Sequence, residues 1–397
     1  MAQTPTLFAF GSNGSGQLGI GHDEDVSVPT RCIFEEDDLP PSSSALRAAS
    51  GFNDEGIPQP RVSRIVAGGN HTLVLLGDGR VYAAGERRDG RCGFAIKDQE
   101  AGLFNAESVF RRAIVEETES ETVFDRFKGV SATWEGSILV SLSDEVFVLG
   151  TGLKGELGLG SGCGSGSGVE KTIAKTAVQI PDFPPAGTKV VAISSGMGHT
   201  VVVLSSGEVY GWGGARKGQL GDKLISEKLV WKPTRIEGVP FRVTDATCGR
   251  EFTVLSGNRE RGEFVVLGST GDKWGILSGT PHFGKVNGFL SISASWHGVY
   301  VHQKDGSIFS WGRNDRGQLP EPGLRVVKEV AVGSEHVVAL LEERSVVAWG
   351  WGEHGNCGPE TDAQGNVRGV GSRMPIPEGV EVVGVGAGCA TSWIMGV

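Results

Sequence analysis

Four histidines recur at what reads as one position of a repeated pattern, and imidazole is a common metal ligand and proton carrier at neutral pH. They are His71, His199, His297 and His336. The other copies of the pattern have different residues there: Glu135, Phe252 and Thr391. A metal or catalytic site needs groups that converge on one point, whereas equivalent positions of a repeat lie one per unit. We therefore interpret these histidines as hydrogen-bonded structural residues.

The remaining polar residues contain no catalytic or cofactor-binding motif. The stretch 161–168 (SGCGSGSG) is typical of a flexible linker. The sequence GVEKT at 168–172 lacks the glycine directly before lysine that a phosphate-binding loop requires. There is no G-x-S-x-G elbow and no H-E-x-x-H pair. We predict that the chain is not an enzyme and holds no cofactor.

The six cysteines stand singly, without a C-x-x-C pair, so neither a zinc site nor a disulfide framework is indicated. Cys92 and Cys357 occupy a repeat position where leucine stands in other copies. We expect both to be small buried hydrophobic side chains rather than metal ligands.

Aromatic and acidic residues are better candidates for chemistry, and that chemistry is recognition of another protein. Tryptophan offers a large contact area at small entropic cost. Five tryptophans lie outside the apolar pattern of the repeat, in or beside loops, and are predicted partner-binding residues: Trp134, Trp231, Trp274, Trp296 and Trp351. An acidic loop adds four more: His22, Asp23, Glu24 and Asp25. In contrast, Trp212, Trp311 and Trp349 each precede a repeated glycine and are expected to pack between structural units.

The elements that must position these residues occur seven times. Each copy opens with a strand that runs into a glycine, a second glycine five residues later, a short apolar step and often a third glycine, as in FGSNGSGQLG and WGWGEHGNCG. The opening glycines are Gly11, Gly85, Gly150, Gly213, Gly268, Gly312 and Gly350. Between openings, short runs of Val, Ile, Leu and Tyr are bounded by glycine turns, which predicts antiparallel hairpins.

This pattern predicts an all-β fold, a closed seven-bladed β-propeller that forms one domain over residues 1–397. The last copy, EVVGVGAGCATSWIMGV, lacks a final strand, whereas residues 6–10 (TLFAF) form a strand that no other element precedes. We expect this N-terminal strand to complete the last blade, because ring closure protects exposed strand edges.

Two insertions interrupt the repeats, at residues 35–61 and 97–127. The first is acidic and then rich in Pro and Ser, which is typical of a mobile segment. In the second, five apolar residues stand near helical spacing and predict a short helix: Phe104, Val109, Phe110, Ile114 and Val115.

Composition and charge indicate which kinds of partner this chain can bind and where it acts. The chain of 397 residues contains 63 glycines, as expected where many tight turns need positive φ, and its formal net charge is −10. An acidic chain without clustered Lys and Arg is a poor ligand for nucleic acid. No apolar run approaches the length of a bilayer span, and the first residues lack a basic and apolar leader. We expect a soluble protein of the cytoplasm, with the nucleus as a second compartment.

The combination of G-x-x-x-x-G-Q-L-G, a later G-x-x-H-T, a D-G turn and W-G resembles the regulator-of-chromosome-condensation repeat, over essentially the whole chain. Within that family the beginning, FAFGSNGSGQLGIGHDED, is similar to the fungal alpha-tubulin suppressors, also called killer-toxin-insensitivity proteins. The second resemblance rests on the acidic loop of residues 22–25.

That resemblance implies a non-catalytic scaffold whose partner is a small zinc- or iron-binding electron carrier. It would act in diphthamide biosynthesis and in Elongator-dependent modification of the tRNA wobble uridine. A second function remains open, guanine-nucleotide exchange on a small GTPase, as in the founding member of the repeat family. A third is an adaptor to microtubules.

Overall fold

The structure is a computed structural model that describes residues 5–35, 61–93, 108–117, 122–160, 172–282, 285–321, 323–324 and 326–397. The predicted linker at 161–168, most of the first insertion and Phe104 lie outside these residues. Two short 3-10 helices, Asp222–Glu227 and Arg259–Arg261, are described, and no helix in the described ranges is long and apolar enough to cross a membrane.

The strands follow the chain in this order. The first fourteen are β1 Thr6–Gly11, β2 Val26–Arg31, β3 Val62–Ala67, β4 His71–Leu76, β5 Val81–Gly85, β6 Arg111–Arg112, β7 Val115–Glu117, β8 Thr122–Phe124, β9 Phe127–Ala132, β10 Gly136–Ser141, β11 Val146–Thr151, β12 Ile173–Gln179, β13 Val190–Ser195 and β14 His199–Leu204. The remaining strands are β15 Val209–Gly214, β16 Leu229–Ile236, β17 Asp245–Cys248, β18 Phe252–Ser256, β19 Phe264–Gly268, β20 Ser291–Ala294, β21 Gly298–His302, β22 Ile308–Gly312, β23 Val327–Val332, β24 His336–Leu341, β25 Val346–Trp351, β26 Asn366–Arg373, β27 Val382–Ala387 and β28 Thr391–Gly396.

Seven antiparallel sheets form the blades of a propeller, which confirms the predicted all-β fold. Blades 1 to 7, from the innermost strand outwards, are β3-β4-β5-β6, β9-β10-β11-β12, β13-β14-β15-β16, β17-β18-β19, β20-β21-β22, β23-β24-β25-β26 and β27-β28-β1-β2. β7 and β8 form a separate two-stranded antiparallel sheet. The innermost strands of successive blades contact one another around the ring, including β27 with β3.

The N-terminal strand closes the ring as predicted. β1 pairs antiparallel with β28, from Thr6 opposite Gly396 to Gly11 opposite Thr391. The chain's first described strand is therefore the third strand of blade 7, and Phe10 within it is fully buried.

The opening glycines adopt a backbone conformation that other residues rarely reach. Their φ angles lie between 92° and 121° in all seven copies. At Gly11, a Cβ would lie 2.3 Å from the carbonyl oxygen of Ala390, in the turn after the first strand of the same blade. Because that contact is impossible, the glycine that defines the repeat is required by the tight crossing of two chain segments.

Strand register corrects one part of the repeat alignment. In each blade the opening glycine pairs with the first residue of the second strand, which is His71 in blade 1. In blade 5, Gly312 pairs with Gly298, so His297 stands one residue before the shared position. Glu135 is displaced in the same way in blade 2. The prediction that these two residues share the position of the other histidines is wrong, because their strands begin with glycine.

The three histidines that do occupy the position join neighbouring blades. Each imidazole Nε2 lies 2.9 Å from a hydroxyl of the next blade, in the pairs His71 with Ser137, His199 with Thr253 and His336 with Ser392. A Cβ on Gly333 would lie 2.4 Å from Cε1 of His336, so the turn glycine provides space for the ring. Burial lowers the pKa of His71 to about 3 and that of His199 and His336 to about 4. The predicted structural role is confirmed for these three.

Three tryptophans pack between blades as predicted. Trp212, Trp311 and Trp349 are 0%, 7% and 1% exposed. Each indole N–H donates to a backbone carbonyl in the opening loop of the preceding blade, at Glu156, Ile276 and Gln318, over 2.8, 2.9 and 3.0 Å. These side chains thus combine apolar packing with a satisfied polar atom.

Cys92 and Cys357 are buried in the apolar layers, which confirms the structural interpretation. Burial raises the pKa of both thiols, to about 12 for Cys92. Buried neutral thiols of this kind are poor nucleophiles and poor ligands.

The helix predicted in the second insertion is wrong over residues 108–117. Val109 and Phe110 form isolated bridges to Ile20 and Phe34, and the following residues form the short strands β6 and β7. Phe110 is fully buried and stacks on Phe34 with ring centroids 5.0 Å apart. Packing on the outer edge of the ring therefore overrides the local apolar spacing.

Candidate functional site

Strand direction decides on which side of the ring each candidate residue lies. Because strands alternate within a blade, the turn after the first strand and the opening loop after the third emerge on the same side. We call this side the loop face. Trp134 and Trp296 lie in turns after first strands, and Trp274 and the acidic loop lie in openings. Trp351 ends a third strand, and Trp231 lies near the start of a fourth strand, so all nine candidates belong to the loop face.

Trp134 and Trp296 meet at the mouth of the central channel, although they come from blades 2 and 5. Their ring centroids are 5.7 Å apart. Their backbones belong to a chain of inter-blade hydrogen bonds around the mouth, since the N–H of Trp134 donates to Met197 and that of Trp296 to Ser334. The guanidinium of Arg250 lies over the Trp296 ring at 5.5 Å. The pair therefore spans the axis of the propeller.

Trp274 lies in a group of charged side chains between blades 4 and 6. The ammonium of Lys273 and the guanidinium of Arg313 lie 4.6 and 4.8 Å from its ring centroid. The imidazole of His297 is 6.0 Å away. Cations over an indole face are attracted by its quadrupole, so these contacts order the ring while leaving it partly exposed.

Glu335 is the acidic centre of this group. Its Oε1 lies 3.0 Å from both His297 Nδ1 and Arg313 NH1, and its Oε2 accepts from Gln318 over 2.8 Å. Burial raises the pKa of Glu335, but the hydrogen bonds from His297 and Gln318 and the charge of Arg313 outweigh burial and hold that pKa below its usual value. The carboxylate is therefore ionised at neutral pH and fixes the side chains around it.

Arg313 also forms a two-point ion pair with Asp315, at 2.6 and 2.9 Å. The hydrogen bond from Arg313 lowers the pKa of Asp315 to about 2. The bidentate geometry orients the guanidinium under the Trp274 ring more firmly than a single contact would.

A second group continues across blades 5 to 7. The Arg316 guanidinium lies 5.2 Å from the centroid of Trp351, whose indole N–H donates to Glu353 over 3.0 Å. Trp351 meets His354 edge to face at 5.4 Å, and His354 Nδ1 lies 2.8 Å from Oδ2 of Asp25. The acidic loop is thereby connected to the tryptophans. We call the side chains of these two groups the loop-face network. Its members are Lys273, Trp274, His297, Arg313, Asp315, Arg316, Gln318, Glu335, Trp351, Glu353, His354 and Asp25.

The structure brings some of the predicted residues together and leaves others apart. Trp274, Trp351 and Asp25 belong to the loop-face network, and Trp134 and Trp296 adjoin it at the mouth. His22, Asp23 and Glu24 are exposed beside Asp25. Trp231 lies in blade 3, where its carbonyl accepts from Gly160, and it makes no ring contact with the described part of the network.

Sequence reasoning missed the charged half of the network: His297, Arg313, Asp315, Arg316, Gln318, Glu335 and His354. A signal was present, because Arg313 directly follows an opening glycine and Glu335 directly precedes the repeat position of the next blade. The sequence does not show that these two positions are close. Their proximity follows only from the strand register, which places them side by side in adjacent blades.

Comparison with known proteins gives the family. The model of the RCC1-like domain matches residues 6–394, nearly the whole chain. This chain belongs to the RCC1-like family. The RCC1 repeat-containing protein C10F6.04 of Schizosaccharomyces pombe is 30% identical over 401 residues, covering 98% of each chain.

Two further relatives of this RCC1-like chain bear on fold and function. The mouse secretion-regulating guanine nucleotide exchange factor is 25% identical over 432 residues, which cover 96% of this chain and 82% of that protein. Among solved structures, Prp20p from Saccharomyces cerevisiae matches with a TM-score of 0.71 and 20% identity, over 100% of this chain and 92% of Prp20p. The structural match shows a common fold.

Proposed function

We propose that this RCC1-like propeller is a non-catalytic protein-binding module that promotes guanine-nucleotide exchange on a small GTPase. The observation that carries the proposal is the loop-face network, which presents partly exposed tryptophans on ordered charges across blades 4 to 7. Such rigid aromatic residues beside charged groups are typical of interface hot spots. The relative named as an exchange factor, similar over almost the whole chain, supports the choice of a GTPase.

Exchange on a GTPase is a binding reaction. Nucleotide and Mg²⁺ are held by switch loops, and a protein that binds those loops in another arrangement weakens the nucleotide's hold. No covalent step is required of the propeller, in agreement with the lack of a catalytic motif. We place its action in the cytoplasm and nucleus.

A second candidate function is binding of a small zinc- or iron-carrying protein of the diphthamide pathway, which also supports Elongator-dependent tRNA modification. Its support is the resemblance of the acidic loop to the fungal alpha-tubulin suppressors. The loop lies beside Trp351, to which Asp25 is connected through His354. Exposed carboxylates next to an anchored indole suit a small partner with a basic surface.

The first experiment is affinity capture from extract with the intact chain and with a Trp274→Ala, Trp351→Ala double variant. If the chain is an exchange factor, a small GTPase should be enriched from extract that EDTA has depleted of bound nucleotide. Excess GDP with Mg²⁺ should then release it. We expect the double variant to bind it at least roughly 30-fold more weakly, since two hot-spot residues are worth about 2 kcal/mol or more. Trp231→Ala, on the same face but outside the network, is the matched control.

The second experiment measures release of fluorescent GDP from the purified captured GTPase. The proposed exchange function predicts a faster release with the intact chain and a lost acceleration with the double variant. A GTPase whose release rate stays unchanged would contradict it.

The same capture tests the second candidate. If the partner is a metal carrier, a small Cys-rich protein is retained with its zinc or iron regardless of nucleotide. Retention should then weaken when Asp23, Glu24 and Asp25 are changed together to Asn. Unchanged retention by that triple variant would rule out the acidic loop as the contact.

A further inference from the structure

The central channel holds a cavity of about 970 Å³ that the proposed function does not use. The innermost strands line it, and the Trp134 and Trp296 pair bounds it at the loop face. Its volume lies in the range of small-molecule sites, roughly 300–1,000 Å³. The cavity is therefore large enough for a ligand, and its lining decides which kind.

One ring of equivalent positions contributes three charged side chains to the innermost strands. In every blade we take the innermost-strand residue that pairs with the fifth residue of the second strand. These seven residues are Arg64, Gly129, Ala192, Asp245, Ser291, Glu329 and Gly384. The ring thus combines one guanidinium and two carboxylates with small residues. Of these three, Arg64 and Glu329 line the cavity, where the exposed Arg61 also lies directly before β3. Asp245 instead faces Arg259 at 3.8 Å.

Arg64 reaches across the channel wall from blade 1 to blade 3. Its NH2 donates to the carbonyl of Ile193 over 2.9 Å, and the ring position in the intervening blade is Gly129, which has no side chain to block it. Among the described residues, this is the guanidinium's only hydrogen bond, and the guanidinium has no ion pair. Burial lowers the pKa of Arg64, against the attraction of the Asp245 charge. The guanidinium therefore has donors left for a ligand.

Glu329, two blades away, also lines the cavity with a charged group that has few hydrogen-bond partners. A Cβ on Gly384 would lie 3.3 and 3.4 Å from its carboxylate oxygens, so the carboxylate occupies the space above that glycine. Its hydrogen-bond partner is the N–H of Val385, at 3.3 Å. Burial raises the pKa of Glu329. Its carboxylate therefore has acceptor sites that the described protein does not fill.

Two opposite charges that face one cavity without pairing with each other select the ligand's charge pattern. A simple anion near Arg64 is opposed by Glu329, and a simple cation near Glu329 is opposed by Arg64. A molecule that carries both charges satisfies both groups. We propose that the channel binds a small zwitterion, with its carboxylate on Arg64 and its ammonium group on Glu329.

A series of straight-chain amino acids, from glycine through 4-aminobutyrate to 6-aminohexanoate, tests the site, because chain length measures the separation of the two charges. Calorimetric titration of the intact chain should show saturable binding that peaks at one length. The matching simple amine and simple carboxylate should bind more weakly. No saturation by any member at about 10 mM, a concentration that detects even weak binding, would overturn the proposal.

Substitutions test whether the charges of Arg64 and Glu329 are responsible for binding of the zwitterion. Arg64→Gln and Glu329→Gln should each weaken binding of the best probe roughly 10- to 100-fold, the effect of losing a charged hydrogen bond. Arg64→Lys should restore part of the affinity, which separates loss of charge from loss of folding. Arg344→Gln and Glu381→Gln, which break an exposed ion pair at the surface, are matched controls. Affinity that is unchanged in both channel variants would also overturn the proposal.

Discussion

The buried layer that joins neighbouring blades and the exposed loop face use the same residue types for different purposes. His336 begins its strand, is buried and joins two blades, whereas His297 stands one residue earlier and contacts Glu335 on the loop face. Trp349 is buried against the preceding blade, whereas Trp274 lies partly exposed among cations. For the histidines, a shift of one residue relative to the strand moves the side chain from the contact between blades to the loop face. For the tryptophans, the difference is between the end of a third strand and the loop that follows it.

Removal of the closing strand should have the largest effect. Deletion of residues 1–11 takes β1 and its fully buried Phe10 out of blade 7. It leaves β28 with only β27 as a partner and leaves β2 unpaired in the blade. We expect a loss of about 5 kcal/mol or more in unfolding free energy, measured by denaturant titration. Deletion of residues 1–4 alone is the control. An unchanged denaturation midpoint for the longer deletion would contradict the closure.

Single replacements of Trp349 and Trp274 by alanine should show directly that the inter-blade layer supports stability and the loop face supports binding. Trp349→Ala removes a fully buried indole and its hydrogen bond to Gln318, so it should cost about 3–5 kcal/mol of stability. Trp274→Ala should cost less than about 1 kcal/mol while weakening partner binding. Thermal denaturation and the capture assay measure the two quantities. Equal stability losses would mean that the loop-face network supports the fold.

Acid should weaken the inter-blade layer. His71, His199 and His336 are neutral in the folded protein down to pH about 3 to 4, whereas an unfolded histidine takes up a proton below pH about 6.5. Their contribution to stability is therefore complete above pH 6.5 and is lost as the pH falls towards 4, by about 3 kcal/mol per histidine.

The measurement is the denaturation midpoint from pH 7 to pH 4, in the intact chain and in His336→Asn. The variant starts less stable but should show a shallower pH dependence, because one titrating group is missing. A parallel pH dependence would argue against the buried neutral state of His336. His354→Asn, an exposed histidine, is the control.

The smallest effect on stability belongs to the outer end of the loop-face network. Asp25 and His354 are 42% and 38% exposed, so solvent competes with the contact between them. Asp25→Asn should change the unfolding free energy by less than about 0.5 kcal/mol and should act on partner capture instead. A stability loss above about 1 kcal/mol would show that this contact belongs to the ring's structure.

Much of the fold could be predicted because each blade repeats one local pattern. Gly11 and its equivalents reveal the crossings, and the strand at residues 6–10 supplies the strand that the last copy lacks. The helix expected around Phe110 failed because its apolar spacing serves contacts with Phe34, which is distant in sequence. The tryptophans of the candidate site were found, but the cations that order them were not, because Arg313 and Trp274 come from different repeats.

The sequence by itself determined the blade count, the closure and the buried roles of His71 and Trp349, because each follows from interactions that recur at a fixed spacing. Only the tertiary structure decided that Trp134 meets Trp296 across the axis, that Glu335 gathers His297 and Arg313, and that Arg64 and Glu329 face one channel. The physical reason is that these contacts join different blades, and their geometry depends on how the ring closes rather than on any local pattern.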